Sequence, residues 1–384
     1  MIGNALRAAD LDGRGRGLLA ARSIREGEVI LTEPPLVVYP ASLGSIPSFC
    51  SACFRSLSAP ASPCPSCRAA AFCSPACAAA SHPRLLCAAL SGGKLASATE
   101  PHQEPLLFLL SAYSLQEPSL RVLLSLSSAP TPPPSQQDPA SLHAMVVALV
   151  PPGMLPQGFS PDITAALLAK DRTNSFSIME PYRPEVSQEL RKARAYAVYP
   201  QASRLNHDCL PNACHFDYPD MPGPGNTDIV VRALHDITEG REVCISYFAA
   251  NWQYKDRQLR LLEDYGFQCE CERCQVESKW KLDDDKDGSN GDDDDTMEEE
   301  EEGDGGDDGM EQEEGDGSGG SEDDFPHAYF FVRYLCDQGD CYGMLAPLPP
   351  LLNGEPSHVF ECNVCGHLKK EDDVPDGGDS SMAD

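Results

Sequence analysis

Cysteine spacing constrains this chain more than any other feature of its sequence. Seventeen of the 384 residues are cysteine, and most of them lie at the short intervals that metal sites use. The first cluster combines seven cysteines with one histidine: Cys50, Cys53, Cys64, Cys67, Cys73, Cys77, His82 and Cys87. Eight ligands so close together are typical of two tetrahedral zinc sites. We expect alternate pairs to share a metal, Cys50, Cys53, Cys73 and Cys77 at one site and Cys64, Cys67, His82 and Cys87 at the other.

Two smaller clusters lie in the second half of the chain. One supplies three ligands, Cys269, Cys271 and Cys274, where a closed zinc site requires four. The other has zinc-ribbon spacing and consists of Cys336, Cys341, Cys362 and Cys365. Cys214 and Cys244 belong to no cluster, and we interpret them as small apolar residues on or beside strands.

The formal net charge of −31 comes mainly from one segment. Residues 283–324 contain 23 Asp or Glu and one Lys, so they supply −22 and leave −9 for the rest of the chain. This segment has almost no apolar residues and is predicted to be a disordered acidic insert. The remainder carries no basic field for phosphates, so we expect no direct contact with nucleic acid, whereas basic protein substrates remain open.

The hydropathy pattern predicts no membrane span and no secretory signal. No apolar run approaches the roughly 20 residues that a spanning helix needs, and the N-terminus already carries Arg7 and Asp10. We therefore expect a nuclear or cytoplasmic, reducing compartment, in which the cysteines bind metal and do not form disulfides.

Strand and helix signals alternate along the chain. Residues 1–39 combine β-like runs with glycine turns, and residues 104–170 have a helical pattern with proline-rich breaks at 130–134 and 151–156. Strand signals return over 197–248, where 229–234 and 242–248 are predicted to pair. A helix with apolar Trp252, Leu259, Leu262 and Tyr265 is expected next.

Four motifs occur in an order that resembles the SET-domain methyltransferases. They are GRGRGL at 13–18, RLNHDCLPN at 204–212, GREVCISY at 240–247 and the Cys-x-Cys-x2-Cys cluster at 269–274. That cluster resembles the post-SET zinc site, in which the family takes its fourth ligand from the position held here by Cys209. The eight-ligand cluster resembles a MYND finger, and its place inside the domain resembles the SET-and-MYND (SMYD) subfamily. Asn174-Ser175-Phe176 matches a further SMYD segment, and the short layout resembles the ASH-related plant subgroup.

The resemblance implies an α+β fold, a β-rich SET domain interrupted by a MYND-type zinc finger and a helical insert, with a post-SET zinc site and a C-terminal zinc ribbon. The expected divisions are residues 1–39 and 181–250 for the SET domain, 40–90 for the finger, 91–180 for the helical insert, 251–276 for the post-SET segment, 277–324 for the acidic insert, 325–370 for the ribbon and 371–384 for an acidic tail.

The function implied is transfer of a methyl group from S-adenosylmethionine to a lysine of a histone or another protein. The resemblance assigns catalysis to Tyr247 and Tyr265. It assigns the cofactor to Arg14, Gly15, Arg16, Gly17, Asn174, Asn206, His207, Tyr247 and Phe267. Four structural zinc ions and a monomeric enzyme are also expected, and the finger is expected either to dock a peptide or to act only as a structural brace.

Other interpretations of the same residues remain open. Without the family, the glycine-rich run indicates a hairpin turn, Asn174 a loop cap and the aromatic residues ordinary core packing. One rival function is a catalytically weak adaptor, because Asp208 stands where the family motif has serine. Another is an acidic, chaperone-like histone binder, which predicts that deletion of residues 283–324 abolishes function.

Overall fold

The computed structural model of the protein describes residues 5–43, 48–57, 61–80, 82–93, 95, 100–129, 138–183, 191–221, 225–284, 327–351 and 354–371. The prediction of a disordered insert, 277–324, was wrong over its first eight residues, which form the end of a helix, and the rest of it lies outside the described residues. The predicted acidic tail also lies outside them, apart from residue 371.

Short strands form several small sheets, as expected for a SET fold. The strands are β1 (Leu6–Leu11), β2 (Gly15–Ala20), β3 (Val29–Glu33), β4 (Val37–Pro40), β5 (Ser62–Pro63), β6 (Ala71–Phe72), β7 (Ser175–Met179), β8 (Ala193–Val198), β9 (Asn206–His207), β10 (Ala213–Phe216), β11 (Ile229–Ala233), β12 (Cys244–Ile245), β13 (Leu345–Pro347), β14 (Val359–Cys362) and β15 (Leu368–Lys370). The sheets have the orders β1-β2, β10-β11-β3, β4-β8-β7, β5-β6, β12-β9 and β13-β14-β15. Only the β12-β9 pair among these described strands is parallel.

The helices between residues 100 and 174 separate the two β-rich parts of the chain. The helices of the described chain are α1 (Pro75–Ala80), α2 (Arg84–Ser91), α3 (Glu100–Ala112), α4 (Glu117–Leu124), α5 (Pro139–Leu149), α6 (Pro161–Asn174), α7 (Tyr254–Arg260), α8 (Glu272–Asp284) and α9 (Ala328–Tyr334). Side chains at 106–110 of α3 are almost fully buried and pack with Leu167 of α6 and Tyr39 of β4. The mixed α+β architecture with a helical insert is therefore confirmed.

A buried arginine fixes the cysteine-rich finger, residues 48–91, against the β core. Arg194 of β8 is fully buried and donates to the Phe54 carbonyl at 2.7 Å and to both carboxylate oxygens of Asp220 at 3.0 Å. Asn226 donates to the Cys53 carbonyl at 2.8 Å. Because a buried guanidinium needs partners in this geometry, the finger and the core have one defined arrangement.

A second buried arginine holds the C-terminal ribbon, residues 327–371, on the same core. Arg232 of β11 lies 2.6 Å from a carboxylate oxygen of Glu361 and donates to the Pro347 carbonyl at 3.1 Å. Its guanidinium also stacks 3.9 Å from the centre of the Phe216 ring. Leu345 and other apolar residues of the ribbon share one buried cluster with β10. The ribbon is thus an integral part of the folded protein.

One strand-pairing prediction was wrong. Residues 229–234 and 242–248 do not pair: β11 lies between β10 and β3, whereas β12 pairs with β9. The helix predicted to carry Leu259, Leu262 and Tyr265 is present; it begins at Tyr254, after Trp252, and ends in a π-helical turn, Leu261–Tyr265. That turn buries Leu261, while Leu259 and Leu262 are about half exposed, at 55% and 50%. Contacts between distant segments decide which strands pair, and the wider π-helical turn decides which of the leucines are buried.

Candidate active site

The candidate site begins where two distant segments form a parallel pair. Asn206 lies opposite Cys244 and His207 opposite Ile245, so the motif at 204–212 runs beside the motif at 240–247. The Asp208 N–H extends the pairing by donating to the Ile245 carbonyl at 3.0 Å. The structure therefore brings together two motifs that lie about 40 residues apart in sequence.

Glu33 positions the start of the first motif. Its carboxylate accepts hydrogen bonds from the backbone N–H groups of Gln201 and Ala202, at 2.9 to 3.0 Å. These groups open the short 3-10 helix Ala202–Arg204 that leads into Asn206. A carboxylate at a helix N-terminus satisfies otherwise unpaired donors. Glu33 could not be identified from the sequence, because a glutamate at a strand end carries no local sign of this distant contact.

The tip of the β1-β2 hairpin lies against the Asn206 loop. Arg14 donates to the His207 carbonyl at 3.0 Å and pairs with Glu242 at 2.9 Å. Asn206 Nδ2 donates to the other carboxylate oxygen of Glu242 at 2.7 Å. A Cβ at Gly17 would lie 3.0 Å from both Asn206 Nδ2 and Glu242 Oε1. Glycine at this position thus permits the close approach. Glu242, whose role was not evident from the sequence, links Arg14 of the hairpin to Asn206 of the loop.

The remainder of the tip has two different environments. Gly13 and Gly15 have positive φ of 69°, and an added Cβ at either would meet nothing within 4 Å. Their backbone therefore faces open space that a ligand can occupy. Arg16 instead donates to the Ser125 carbonyl at 2.9 Å and the Ser127 hydroxyl at 3.1 Å, which ties the hairpin to the helical insert.

Tyr247 is held at its hydroxyl and at its backbone. The hydroxyl donates to the Leu205 carbonyl at 2.9 Å, and the backbone N–H donates to Nδ1 of His207 at 3.2 Å. The ring centre lies 4.6 Å from that of Tyr265, which in turn lies 6.5 Å from that of Phe267. Burial raises the pKa of both tyrosine hydroxyls, so they stay protonated at neutral pH.

A cleft of about 570 Å³ opens beside this tyrosine pair. Its lining includes Tyr247, Tyr265 and Leu205, and it extends along β7 to residues of the ribbon. Asn174 also lines it, but its Nδ2 donates to the Ser127 carbonyl at 2.8 Å and the Lys170 carbonyl at 2.7 Å. The Asn174 amide nitrogen is therefore engaged in holding the end of α6.

The metal-ligand candidates converge into four groups within the described part of the chain. In each group the ligand atoms lie within 4.8 Å of one another. The groups are Cys50, Cys53, Cys73 and Cys77; Cys64, Cys67, His82 and Cys87; Cys209, Cys269, Cys271 and Cys274; and Cys336, Cys341, Cys362 and Cys365. The structure thus assembles the same four sets that the spacing and the resemblance predict, including the distant Cys209.

The backbone at these cysteines also fits metal binding. Phe54, Arg68 and Tyr342 have positive φ of 55°, 58° and 49°, and each directly follows a cysteine of a group. The N–H groups of Phe54 and Arg68 donate to the carbonyls of Cys50 and Cys64 at 2.8 and 3.0 Å. Such tight turns direct two sulfur atoms to one point, so the groups can each hold a metal ion.

The comparisons with known proteins identify the family. The SET domain model matches residues 15–248, which is more than half of the chain. The chain belongs to the SET-domain family. Histone-lysine N-methyltransferase ASHR2 of Arabidopsis thaliana is 46% identical over 96% of this chain and 96% of its own length. The chain is therefore a SET-domain protein-lysine methyltransferase.

Other members of the family are more distant. Histone-lysine N-methyltransferase ASHR1 of Arabidopsis thaliana is 28% identical over 70% of this chain and 55% of its own length. Histone-lysine N-methyltransferase SMYD3 of Homo sapiens is 34% identical over 36% of this chain and 28% of its own. A solved structure of Rubisco LSMT bound to AdoMet has 15% identity and a TM-score of 0.37, covering 70% of this chain and 53% of that one.

The extent of the SET domain places the cysteine groups relative to it. The finger cysteines at 50–87 lie inside the matched residues, so the finger interrupts the domain as the resemblance implied. The group that contains Cys209 joins the domain to the segment after it, because its other three cysteines lie at 269–274. Among the described residues, no helix combines the length and the hydropathy that a bilayer span requires.

Proposed function

We propose that this SET-domain protein transfers methyl groups from S-adenosylmethionine to a lysine of a histone, with Tyr247 as the central catalytic residue. The observation that carries the proposal is the contact of Tyr247 with both Leu205 and His207 beside an open cleft. The ASHR2 relative, named as a histone-lysine methyltransferase, supports the substrate class.

The hairpin tip and the Asn206 loop are the proposed cofactor side. When bound, S-adenosylmethionine supplies the methyl group that is transferred. Arg14 and Asn206 provide charged and polar groups beside the open backbone of Gly15. His207, Gly17, Arg16 and Phe267 complete the proposed set, with Arg16 acting through its contacts with the helical insert. Asn174 then contributes by positioning α6.

The tyrosine pair is the proposed lysine side. A lysine amine entering the cleft beside Tyr247 and Tyr265 leaves water for an aromatic environment, and burial lowers the pKa of an amine from its usual value near 10.4. The neutral amine is the nucleophile. The Leu205 carbonyl and the Tyr247 oxygen lie together at 2.9 Å and can both accept hydrogen bonds from the amine, which fixes the direction of attack.

The four cysteine-rich groups are proposed to hold structural zinc. Their ligand sets are three groups of four thiols and one of three thiols with an imidazole, which suit closed tetrahedral zinc sites. The group with Cys209 matters most for the reaction, since it fastens the Asn206 loop to the segment that carries Tyr265. Zinc there would stabilise the relative position of both halves of the site.

The proposal extends to the setting of the enzyme. It places a monomer in the nucleus, where histones are found, and gives the finger a peptide ligand. It divides the chain into a finger at 40–90, a helical insert at 91–180, a post-SET segment at 251–276 and a ribbon at 325–370, with the SET domain at 1–39 and 181–250. The acidic residues after α8, 285–324, act as a spacer or attract basic substrates.

The experiment measures transfer of labelled methyl from S-adenosylmethionine to core histones. Wild type should label one or more lysines, and Asn206→Ala should reduce labelling to background. Asn251→Ala, a change of the same kind at an exposed position, should retain wild-type activity. Equal labelling by wild type and Asn206→Ala would refute the site assignment. Failure of wild type to bind S-adenosylmethionine in calorimetry would favour the adaptor function.

A further inference from the structure

The cleft beside Tyr247 has a wall that the SET domain does not provide. Its lining continues from the tyrosine pair to five residues of the ribbon: Tyr342, Gly343, Met344, Asn363 and Val364. All five lie after residue 248, where the family match ends. A cleft of about 570 Å³ also has room for more than one side chain. The ribbon therefore contributes directly to the space that surrounds the proposed lysine site.

The cysteine turn of the ribbon presents Tyr342 to this cleft. Cys341 is fully buried in its four-cysteine group, and Tyr342 follows it in the left-handed conformation that is shared by Phe54 and Arg68. The next residue must be glycine, because a Cβ on Gly343 would lie 2.5 Å from the sulfur of Cys362. Tyr342 retains 37% of its surface exposed. Its position is thus set by the metal-ligand turn and leaves the ring accessible.

The wall is fixed relative to the catalytic tyrosine. Asn363 donates to the His215 carbonyl of β10 at 3.0 Å and accepts the Met344 N–H at 2.8 Å. On the other side, Arg273 donates to the Ala250 carbonyl at 2.7 Å and lies 4.6 Å from the centre of the Phe331 ring. Ala250 is three residues after Tyr247. These contacts prevent the ribbon from moving independently of the active site.

The opposite wall comes from β7 and its neighbours and combines apolar side chains with polar ones, among them Ser177, Arg191 and Asp217. Phe176 and Met179 line the same cleft, and the Met179 N–H donates to Asp217 at 3.2 Å. An apolar side chain placed between these residues and Val364 or Tyr342 would have both of its faces removed from water. Aromatic and methionine side chains favour such a guest over a charged one.

We propose that the ribbon forms one wall of the substrate-peptide groove, and that Tyr342 selects an aliphatic residue that flanks the target lysine. The inference rests on the proposed function, because the groove is defined by its continuity with Tyr247 and Tyr265. It makes the ribbon a specificity element of the enzyme, in addition to any role of its metal in stability.

The test uses the full-length enzyme and an array of lysine-centred peptides, in which each flanking position carries Ala, Leu, Glu or Arg in turn. Wild type should favour Leu at one flanking position. Tyr342→Ala should remove that preference and raise KM for the Leu peptide roughly fivefold to tenfold, the effect of losing one aromatic contact. The affinity for S-adenosylmethionine and the metal content should not change.

Leu368→Ala is the matched control, because Leu368 is an exposed residue of the same ribbon outside the cleft lining. It should keep the wild-type preference and KM. An active wild type whose peptide preference survives in Tyr342→Ala would overturn the inference and leave the methyltransferase function intact. A wild type that methylates neither histones nor any peptide of the array would instead refute the proposed function.

A second measurement does not depend on kinetics. A photoreactive p-benzoylphenylalanine in place of Tyr342 should crosslink to the Leu peptide, whereas the same group in place of Leu368 should not. Crosslinking at both positions alike, or at Leu368 alone, would place the peptide elsewhere on the protein and would contradict the inference.

Discussion

His207 joins Tyr247 to the metal-ligand group through its two ring nitrogens. Its Nδ1 accepts the Tyr247 backbone N–H at 3.2 Å, and its Nε2 lies 3.2 Å from the sulfur of Cys209. The first contact requires an unprotonated Nδ1, so the proton resides on Nε2 and points to the sulfur. The imidazole thus transmits the position of the metal ligand to Tyr247, the proposed catalytic residue.

Replacement of His207 should therefore affect metal and activity together. His207→Phe retains an aromatic ring but removes both nitrogen contacts. Loss of such an orienting partner typically costs about 10- to 100-fold in metal affinity or activity. The rate of methyl transfer should fall by this factor, and so should the resistance to a chelator of the metal ion bound by the Cys209 group. Unchanged chelator resistance would show that the contact with Cys209 has no energetic role.

Metal content should distinguish Cys209 from the cysteines that belong to no group. We expect four zinc ions per chain in the purified protein and three in Cys209→Ser, because one ligand of a closed site is removed. Methyl transfer should be lost in the same variant, since the Asn206 loop is no longer fastened.

Cys214→Ala provides the matched control for this experiment. Cys214 is equally buried but lies in β10 outside the four groups. This variant should retain four zinc ions by mass spectrometry under native conditions. Three ions in Cys214→Ala, or four in Cys209→Ser, would contradict the assignment of ligands.

Asp208 should not limit activity. Its Oδ1 accepts the Leu210 N–H at 2.9 Å, which is a turn contact that serine can also make. Asp208→Ser, which restores the family motif, should change the rate of histone methylation by less than about threefold, as expected when one local turn contact replaces another. A large gain in rate would instead support the view that the natural protein is a weak enzyme.

Asp171 should make the stability of the protein depend on pH. Burial raises the pKa of its carboxyl group to about 7, and Glu104 adds to this effect. The folded protein then binds this proton more tightly than the unfolded chain, so its stabilising contribution is present at low pH and is lost as the pH rises from about 4 to about 7. Tyr39 donates to Oδ1 at 2.7 Å, and Ser175 donates to the same atom.

Asp171→Asn retains that acceptor and removes the titration. The difference in unfolding free energy between variant and wild type, measured by denaturant titration, should shift in favour of the variant between pH 5 and pH 8. The change should be on the order of 1 to 2 kcal/mol, because solvent screening at this partly buried group reduces the full effect of about 1.4 kcal/mol per pKa unit. Asp162→Asn, at an exposed position of the same helix, should show no such shift. A pH-independent difference for Asp171→Asn would exclude this titration.

The Arg232–Glu361 pair should contribute strongly to the attachment of the ribbon. Glu361→Ala leaves the buried guanidinium without its carboxylate, which typically costs about 3 to 5 kcal/mol of unfolding free energy. Removal of the exposed partner in the Arg121–Glu117 pair, by Glu117→Ala, should cost less than about 1 kcal/mol. Denaturant unfolding in the presence of zinc measures both, and equal losses would contradict the burial argument.

The sequence predicted those features that depend on local spacing. Cysteine intervals identified the ligands of the finger and the ribbon, because a short turn between two cysteines directs both sulfur atoms to one metal whatever surrounds it. Glycine at 13 and 15 indicated the hairpin tip, since both residues adopt positive φ there. The spacing of apolar residues over 104–170 predicted helices, because helical periodicity is also a local property of the sequence.

Long-range contacts were harder to predict from the sequence. Cys209 was assigned to its group by family resemblance, and Glu33, Glu242 and the ribbon wall were not foreseen at all. Periodicity also misplaced the partner of β12, since the pattern of a two-residue strand contains no information about the segment beside it. These features arise from contacts between residues that are far apart in sequence.

By itself, the sequence determined the metal-ligand sets of the finger and ribbon, the alternation of strands and helices, and the motifs of a SET-domain methyltransferase. Only the tertiary structure decided that His207 lies between Cys209 and Tyr247, and that Tyr342 shares a cleft with Tyr247. The physical reason is that backbone turns and hydrophobic periodicity act over a few residues, whereas a catalytic cleft is defined by packing among segments that the chain keeps more than 90 residues apart.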